Sequence, residues 1–261
     1  MKKIKSKLIQ QLLDLIFPTN RYSIRSLRLF SHRLMVYIDQ HTNRKIALRQ
    51  FEKQETRFLT ENIKASDVCL DIGANIGYYS LLFATKGKKV VAIEPVIENV
   101  ALLNLTSVLN PDLSISVLHA AVSDNCGTAE FNIAEQTSLS GLKTDTSYVG
   151  FKINEYKTRL INTLTIDSLN LDKLDIVKID VEGAELLVLL GMKDTLFRLK
   201  PRIVFIELVD EHLDRYHTCI KDVLDFMKNI GYTPKQLENL ILVDHIDKQP
   251  INDNYFFTMD S

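Results

Sequence analysis

Two carboxylates flank the glycine-containing segment DIGANIG (71–77). Asp71 ends one short apolar run, and Glu94 ends the next, 21 residues after Gly73. In an open sheet of parallel strands, ligands bind at the carboxyl ends of the strands, and glycines there let the backbone approach them closely. A helix beginning at Gly77 would add backbone N–H donors, and Glu94 is placed to accept hydrogen bonds from a ribose diol. The pattern predicts a site for a nucleoside-containing cofactor.

The charge of the ligand separates the two cofactor classes that fit this outline. A dinucleotide-binding loop needs a second glycine where this sequence has Asn75. Asp71 would also repel a pyrophosphate, at a cost on the order of a kcal/mol in a partly dry cleft, whereas it would attract the ammonium and sulfonium groups of S-adenosylmethionine. The sequence therefore favours S-adenosylmethionine. An NAD-dependent oxidoreductase is the rival within the fold, and a pair of plain strand-end caps is the alternative without a ligand.

Carboxylates also end two later apolar runs. Asp180 closes DIVKID (175–180), Glu182 follows it by two residues, and Glu207 lies near the end of IVFIEL (203–208). An alcohol is a poor nucleophile at neutral pH, so methyl transfer to oxygen calls for a base or a metal. We hypothesise that Asp180 and Glu182 orient or deprotonate the acceptor hydroxyl, with Glu207 as a further catalytic carboxylate.

Each of these assignments has an alternative. Asp180 could instead bond the cofactor or the loop amides, and Glu182 could be an acid at a helix start. His212 could be a base or a solvent-exposed loop residue. A divalent ion between Asp180 and Glu207 is a further alternative, since hard cations prefer carboxylate oxygens, although no metal site is predicted.

Short apolar runs alternate with helical patterns from residue 68 onward. The predicted strands are 68–72, 90–94, 114–122, 128–133, 160–166, 175–180, 203–208, 241–244 and 255–259. The predicted helices are 51–63, 77–85, one ending near 109, one starting near 184, and 220–230. Strands that are apolar throughout and separated by helices indicate a mostly parallel α/β sheet covered on both faces. Lys178 and Lys200 flank strands and are expected to face solvent.

The N-terminal part of the chain differs from the rest in charge. Residues 1–60 carry 13 Lys/Arg against 4 Asp/Glu, a balance of +9, whereas the other 201 residues carry 19 against 29, a balance of -10. Apolar residues at helical spacing in 4–16 predict a basic amphipathic helix, and 34–48 predicts a hairpin. We expect residues 1–50 to form a basic extension of a domain at 51–261. The extension would pack on that domain or a second subunit, or contact a membrane surface or an anionic substrate.

Composition and cysteine content exclude several classes of protein. The 261 residues are 46% hydrophobic and 25% charged with a net charge of -1, which excludes a disordered, collagen-like or disulfide-scaffold chain. The three cysteines are far apart and odd in number, as expected for reduced thiols in a cytoplasmic protein. No run approaches the roughly 18 apolar residues of a membrane span. We therefore expect a soluble protein. Because the basic segment lacks interleaved aromatic side chains, we also expect it to bind no nucleic acid.

Six segments of the sequence follow one another in a specific order and at specific spacings. They are VCLDIGANIGYYSLLFA (68–84), VVAIEP (90–95), HAAVSD (119–124), NTLTIDSL (162–169), DIVKIDVEGAELLVLLG (175–191) and PRIVFIEL (201–208). Together they resemble the FkbM family of S-adenosylmethionine-dependent methyltransferases. The resemblance implies a Rossmann-like class I methyltransferase fold, with a seven-stranded, mostly parallel sheet whose last strand is antiparallel. It also implies methylation of a hydroxyl on a sugar, glycan or related small-molecule acceptor; a non-catalytic binding subunit with the same fold is the alternative.

The resemblance also implies cofactor contacts, carried over position by position. The methionine part of S-adenosylmethionine would be held by Asp71, Gly73, Ala74, Asn75 and Gly77. Glu94 would hold the ribose, and Ser123 with Asp124 would border the adenine. Beside these contacts, the long polar stretch 134–159 is expected to be a lid over the acceptor or a plain surface excursion.

Overall fold

The structure is a computed structural model that describes residues 24–37, 45–46, 49–134, 140–144, 157–245 and 249–259. Its strands are β1 (Ile24–Leu29), β2 (His32–Tyr37), β3 (Val68–Ile72), β4 (Lys89–Glu94), β5 (Ile115–His119), β6 (Ala121–Val122), β7 (Gly127–Ile133), β8 (Gly141–Leu142), β9 (Lys157–Leu164), β10 (Ile176–Ile179), β11 (Ile203–Leu208), β12 (Thr233–Glu238), β13 (Ile241–Asp244) and β14 (Asp253–Thr258). Its helices are α1 (Lys53–Asn62), α2 (Tyr78–Lys86), α3 (Ile97–Leu109), α4 (Glu185–Leu190), α5 (Lys193–Leu199), α6 (Asp210–Leu213) and α7 (Ile220–Asn229). The predicted helix at 4–16 and most of the predicted lid at 134–159 lie outside the described residues. Within the described ranges, no helix has the length and apolar character needed to cross a bilayer.

The main sheet of the described residues has the strand order β13-β12-β14-β11-β10-β3-β4-β5. The strands from β11 to β5 are parallel, whereas β14, β12 and β13 are antiparallel to their neighbours. The strand order reverses at β3, and open α/β sheets bind ligands beside such a reversal. This topology confirms the predicted doubly wound α/β fold and the antiparallel last strand, with eight strands in place of seven.

Side chains that alternate along the strands form two hydrophobic cores, one on each face of the main sheet. Leu70 belongs to a core cluster with residues of α4, α5 and α7, whereas Cys69 and Ile176 pack with residues of α1 and α2. Asp71 follows Cys69 by two residues, and its register partner Lys178 follows Ile176 by two. Because side chains alternate between faces with a period of two, both charged residues lie on the face covered by α1 and α2.

A second, four-stranded sheet has the order β6-β9-β7-β8. It accounts for the predicted strand pair at 128–133 and 160–166, which is antiparallel as β7 and β9. The predicted strand 114–122 is wrong, because it is divided between the two sheets. Residues of β5 pair with β4, whereas Ala121 and Val122 pair with β9. A tertiary partner, not a local sequence signal, causes this break.

The hairpin predicted at 34–48 is wrong in its position, since the observed hairpin consists of β1 and β2. Its turn is formed by Phe30 and Ser31, which have φ angles of 49° and 69°. Positive φ is uncommon for residues other than glycine, asparagine and aspartate, so this turn carries no recognisable sequence signal. Residues 38–44 of the predicted hairpin lie outside the described ranges.

Strand β2 is held against helix α3 by side-chain hydrogen bonds to its backbone. The Asn110 side chain accepts from the N–H of Arg33 at 2.9 Å and donates to its carbonyl at 2.7 Å. The Thr106 hydroxyl oxygen accepts the N–H of Met35 at 3.0 Å. Leu34 is buried in the same core cluster as residues of α2. The described part of the predicted N-terminal extension therefore shares a core with the main sheet.

Two further elements differ from the sequence prediction. Strand β12 was not predicted, because Pro234 cannot donate a ladder hydrogen bond and indicates against a strand. It occupies the second position of β12, opposite Phe257 of β14. The single helix predicted from 184 is two helices, α4 and α5, with Gly191 between them. A Cβ on Gly191 would lie 2.0 Å from the carbonyl oxygen of Ser123, so this position packs directly on a neighbouring backbone.

Candidate active site

The loop between β3 and α2 folds back on the neighbouring strand. Its Gly73 and Ala74 N–H groups donate to the carbonyl of Ile93 at 3.0 and 3.1 Å. Gly73 has a φ of 73°, and a Cβ there would lie 1.8 Å from the carbonyl oxygen of Asp180. Gly77 has a φ of 90° and precedes the first residue of α2. The predicted cofactor loop therefore touches the backbone at the end of β10, as only glycine allows.

Glu94, at the end of β4, ties this loop to the start of α3. Its carboxylate accepts the N–H of Asn75 at 2.8 Å, the N–H of Val96 at 2.9 Å and the Nδ2 of Asn99 at 3.1 Å. Burial raises the pKa of Glu94 to about 7, in opposition to these hydrogen bonds. A carboxylate has about four acceptor positions, so Glu94 keeps capacity for a further donor from the cavity that it lines.

Asp71 is fully buried and lines the same cavity. One carboxylate oxygen accepts the Ser80 hydroxyl at 2.5 Å, whereas the other, Oδ1, has no hydrogen-bond partner in the part of the chain that the structure describes. Burial raises the pKa of Asp71, and the nearby Lys178 opposes this. A buried acceptor without a donor is costly, so this oxygen calls for a donor from a ligand.

Lys178 does not face solvent as predicted, since its side chain is only 7% exposed. Its ammonium donates to Asp180 Oδ2 at 2.9 Å and lies 5.2 Å from the ring centroid of Tyr79. Burial disfavours its charge, but the carboxylates of Asp180, Asp71 and Glu52 outweigh this and raise the pKa of Lys178. The prediction failed because two of these partners, Asp71 and Glu52, are brought to Lys178 only by the fold. Lys200 is exposed, as predicted.

The turn after β10 holds Glu182 in a left-handed conformation, with a φ of 58°. The Oε1 of Glu185 accepts the N–H groups of Val181 at 3.2 Å and Gly183 at 3.1 Å, and so closes the turn from inside. Glu182 forms an ion pair with His212, with Nδ1 and Oε2 2.9 Å apart. The hydrogen bond to Glu182 raises the pKa of His212.

Glu185 leads to a prediction about stability and pH. Burial raises its pKa to about 7 from the ordinary 4.5, so the folded protein binds this proton more tightly than the unfolded chain does. The stability that the proton provides is present below pH 4.5 and is lost as the pH rises through about 7. We expect Glu185→Gln, which mimics the protonated side chain, to match wild type in free energy of unfolding near pH 4.5 and to exceed it above pH 7 by about 3 kcal/mol.

Urea unfolding across this pH range measures the difference. The exposed Glu61→Gln is the matched control, since its carboxylate pairs only with the exposed Arg57 one helical turn away. A difference between Glu185→Gln and wild type that is the same at both ends of the range would contradict the assignment.

Two more carboxylates, those of Glu52 and Glu207, line the cavity near Asp180. The Tyr79 hydroxyl donates to Glu52, whose pKa is raised by burial to about 7. The pKa of Glu207 is raised to about 9 by Asp180 and by burial. Glu207 follows Phe205, the register partner of Lys178, by two residues and so lies on the same sheet face.

The structure brings most of the sequence-predicted site residues to one cavity at the carboxyl edge of the sheet. Its lining includes Asp71, Gly73, Ala74, Asn75, Glu94, Asp180, Glu182 and Glu207. The lining also includes Glu52, Tyr78, Tyr79, Lys178, Phe131 and Leu142, which sequence reasoning did not assign to a site. Gly77 shapes the loop from outside the lining, where a Cβ would meet Leu103 at 2.2 Å.

Ser123 and Asp124, predicted to border an adenine, are not part of the cavity lining. The Ser123 hydroxyl donates to Asp124 at 3.1 Å, and Asn125 donates to the same carboxylate oxygen at 2.8 Å. Val122, which pairs with β9 as part of β6, still lines the cavity. The chain then leaves the cavity wall, and Asp124 is exposed. Ser123 and Asp124 therefore belong to a local turn beside the cavity, and their side chains hydrogen-bond within it.

Among the described residues, no three or more His, Cys, Asp or Glu side chains are grouped as metal ligands would be. Asp180 is instead bonded to Lys178, and Glu182 to His212. In these two contacts an ammonium group and an imidazole group lie beside the carboxylates, in the place that a metal ion would take.

Of the residues that sequence reasoning did not assign, Glu185 carried a local signal. It lies three residues after Glu182, in the segment VEGAE, where a carboxylate beside a helix start is favoured. Glu52 carried none, since only the fold brings it to Tyr79 and toward the ends of β10 and β11.

The comparison with protein families gives one match. A family model described as the methyltransferase FkbM domain matches residues 71–234, which is more than half of the chain. The match spans both halves of the cavity, from Asp71 to beyond Glu207. A comparison with curated proteins gave no significant match.

Several solved structures are similar in fold. The methyltransferase FkbM from Methylobacillus flagellatus KT is 20% identical with a TM-score of 0.49, over 76% of this chain and 44% of that chain. An rRNA methylase from Streptococcus thermophilus is 11% identical with a TM-score of 0.45, over 80% of this chain and 96% of that one. A Streptococcus mutans protein in complex with SAH is 11% identical with a TM-score of 0.47, over 79% and 96%. This chain thus spans less than half of the Methylobacillus protein.

Proposed function

Because this chain belongs to the FkbM methyltransferase family, we propose that it transfers the methyl group of S-adenosylmethionine to a hydroxyl oxygen of a sugar, glycan or related small molecule. The observation that carries the proposal is the buried Asp71, which lines the cavity and whose Oδ1 has no hydrogen-bond donor among the described residues. An ammonium group fits this oxygen in both charge and hydrogen bonding, whereas a pyrophosphate would be repelled by it.

The proposed cofactor contacts use the loop and the two strand ends that flank it. Asp71 and the residues Gly73 to Asn75 would hold the methionine part, since they meet at the carboxyl end of β3. Glu94 would accept the ribose hydroxyls, with the backbone N–H groups of Asn75 and Val96 fixing its carboxylate. Apart from Val96, these are the contacts that the resemblance to the family implies from the sequence.

The reaction needs alignment of the acceptor and removal of one proton. When bound, S-adenosylmethionine supplies a methyl group on a positively charged sulfur, which keeps the bonding electron pair as the acceptor oxygen bonds to carbon. Asp180 and Glu182, at the cavity end of β10, would orient the hydroxyl and take its proton. Lys178 holds the Asp180 carboxylate, and His212 holds that of Glu182, so both are fixed before the acceptor binds.

Calorimetric titration and labelled methyl transfer test this function. S-adenosylmethionine should bind, NAD should not, and label should pass from the methyl donor to a hydroxylated acceptor in a sugar and glycan panel. Tight binding of NAD without binding of S-adenosylmethionine would overturn the proposal and support an oxidoreductase. Cofactor binding without label transfer to any acceptor would support a non-catalytic binding subunit.

The cofactor assignment predicts a specific effect of Asp71→Asn. Asparagine keeps the size of the side chain and its contact with Ser80 but loses the charge. We expect the affinity for S-adenosylmethionine to fall by about 10- to 100-fold, the usual value of a hydrogen bond to a charged group. Calorimetry gives the two dissociation constants.

Adenosine is the control ligand for this variant, since it lacks the ammonium and sulfonium groups. Its affinity should be the same for Asp71→Asn and wild type within a few-fold. An equal loss for both ligands would show that the variant disturbs the loop and that charge recognition is not its role.

A further inference from the structure

Glu207 is a cavity carboxylate without a bonded side-chain partner among the described residues. It lies near the end of β11 and lines the cavity beside the end of β10. Among the described residues, no backbone or side-chain group donates a hydrogen bond to it. Asp180, Glu182 and Glu52, by contrast, are bonded to Lys178, His212 and Tyr79 respectively.

The surroundings of Glu207 are acidic. Asp180 has the largest effect in raising its pKa to about 9, followed by burial, and Glu182 and Glu52 add to it. Lys178 acts in the opposite direction, but its ammonium is bonded to Asp180. Charge repulsion therefore makes this position one where a proton or a cation is bound.

A second observation concerns the cofactor end of the same cavity. Asp71 lines it, and its buried Oδ1 has no hydrogen-bond partner among the described residues. A ligand that satisfies this oxygen must bring a donor at the cofactor end. Glu207, which is partly exposed, lies beside the residues assigned to the acceptor hydroxyl and can likewise accept a hydrogen bond from a ligand.

We propose that the acceptor carries a protonated amine beside its reactive hydroxyl, and that Glu207 binds this ammonium group. The inference rests on the proposed function and specifies its acceptor class as amine-bearing polyols, such as amino sugars and aminocyclitols. Glu52 adds a second carboxylate toward the amine, while Asp180 and Glu182 remain for the hydroxyl.

Other acceptor charges fit this end of the cavity less well. A phosphorylated or carboxylated sugar would place an anion among Glu52, Asp180, Glu182 and Glu207, where repulsion is strong at low dielectric. A neutral polyol can donate hydroxyl groups to Glu207 but brings no positive charge to the carboxylates around it. An ammonium group both donates to Glu207 and balances the charge.

Binding of three matched sugars tests the proposal without requiring turnover. The full chain, saturated with S-adenosylhomocysteine, is titrated with D-glucosamine, D-glucose and D-glucuronate, which differ in charge. We expect D-glucosamine to bind at least about 10-fold more tightly than D-glucose, and D-glucuronate to bind more weakly than either.

The variant Glu207→Gln assigns the preference to this side chain. It should lose the preference for D-glucosamine and keep its affinity for D-glucose within about threefold, because the amide retains a hydrogen-bonding group. Glu238→Gln, an equal change of charge at an exposed site on β12, should leave both affinities unchanged.

Three outcomes would overturn the acceptor class. They are equal or tighter binding of D-glucose or D-glucuronate, a preference that survives in Glu207→Gln, and no binding of D-glucosamine up to about 50 mM. Failure of S-adenosylhomocysteine itself to bind is a different result, because it would reject the proposed function as well. Cofactor binding without the amine preference would reject only the acceptor class.

Discussion

Replacing Asp180 by asparagine is expected to lower kcat for methyl transfer by about 100- to 10,000-fold, the range that a positioned acid–base group contributes. Asparagine has nearly the same shape and can still accept a hydrogen bond from Lys178, now 2.9 Å from Asp180 Oδ2. It cannot accept the proton of the acceptor hydroxyl. Turnover of labelled methyl donor at saturating cofactor and acceptor measures the change.

The cofactor affinity of this variant separates catalysis from binding. Because Asp71 carries the proposed ammonium contact, the Kd for S-adenosylmethionine should change less than about fivefold in Asp180→Asn. The exposed Asp172→Asn, in the turn before β10, is the matched control for loss of an aspartate charge. Turnover within a few-fold of wild type in both Asp180→Asn and Glu182→Gln would show that neither residue takes the proton.

Gly73→Ala is expected to reduce cofactor binding below detection. A methyl group at this position would lie 1.8 Å from the carbonyl oxygen of Asp180, far inside van der Waals contact. The φ of 73° adds strain for any residue with a Cβ, about 1–2 kcal/mol. Backbone on both sides of the contact must shift, and these shifts displace the loop and the Asp180 end of β10 together. Calorimetry with S-adenosylmethionine is the measurement.

Gly127→Ala is the control for this substitution. Its added Cβ would meet only the Thr163 hydroxyl at 3.8 Å, which is ordinary contact. Circular dichroism and thermal unfolding establish whether each variant is folded. A folded Gly73→Ala protein that binds S-adenosylmethionine within tenfold of wild type would show that the loop and β10 are not in the close contact described.

Much of the candidate site could be predicted because it depends on local patterns. Apolar runs ending in a carboxylate identify β3, β4, β10 and β11 and place Asp71, Glu94 and Asp180 at one edge of the sheet. The parallel order of these strands then follows from the helices between them. Local pattern and fold agree here, so the cavity is where the sequence predicts it.

The errors arise where tertiary contacts decide the outcome. Lys178 lies in an apolar strand and resembles a solvated edge residue until the carboxylates of Asp71 and Glu52, which come from other parts of the fold, are placed beside it. Strand β12 contains Pro234, which local propensity disfavours, yet β14 and β13 pair with it from both sides. The turn of β1 and β2 uses Phe30 and Ser31 at positive φ, and the Phe30 ring packs against that of Tyr78 in α2.

The contact between Gly73 and the Asp180 carbonyl connects the loop after β3, which would hold the cofactor, to the end of β10, which would hold the acceptor hydroxyl. The turn after β10 makes a second contact of the same kind, since a Cβ on Gly183 would lie 2.1 Å from the carbonyl oxygen of His212. These contacts connect the loop after β3 to the turn that carries Glu182 and to α6. Thermodynamic reciprocity then requires that, if cofactor occupancy changes acceptor affinity by some factor, the acceptor changes cofactor affinity by the same factor. The three backbone segments in contact give this cooperativity a physical route.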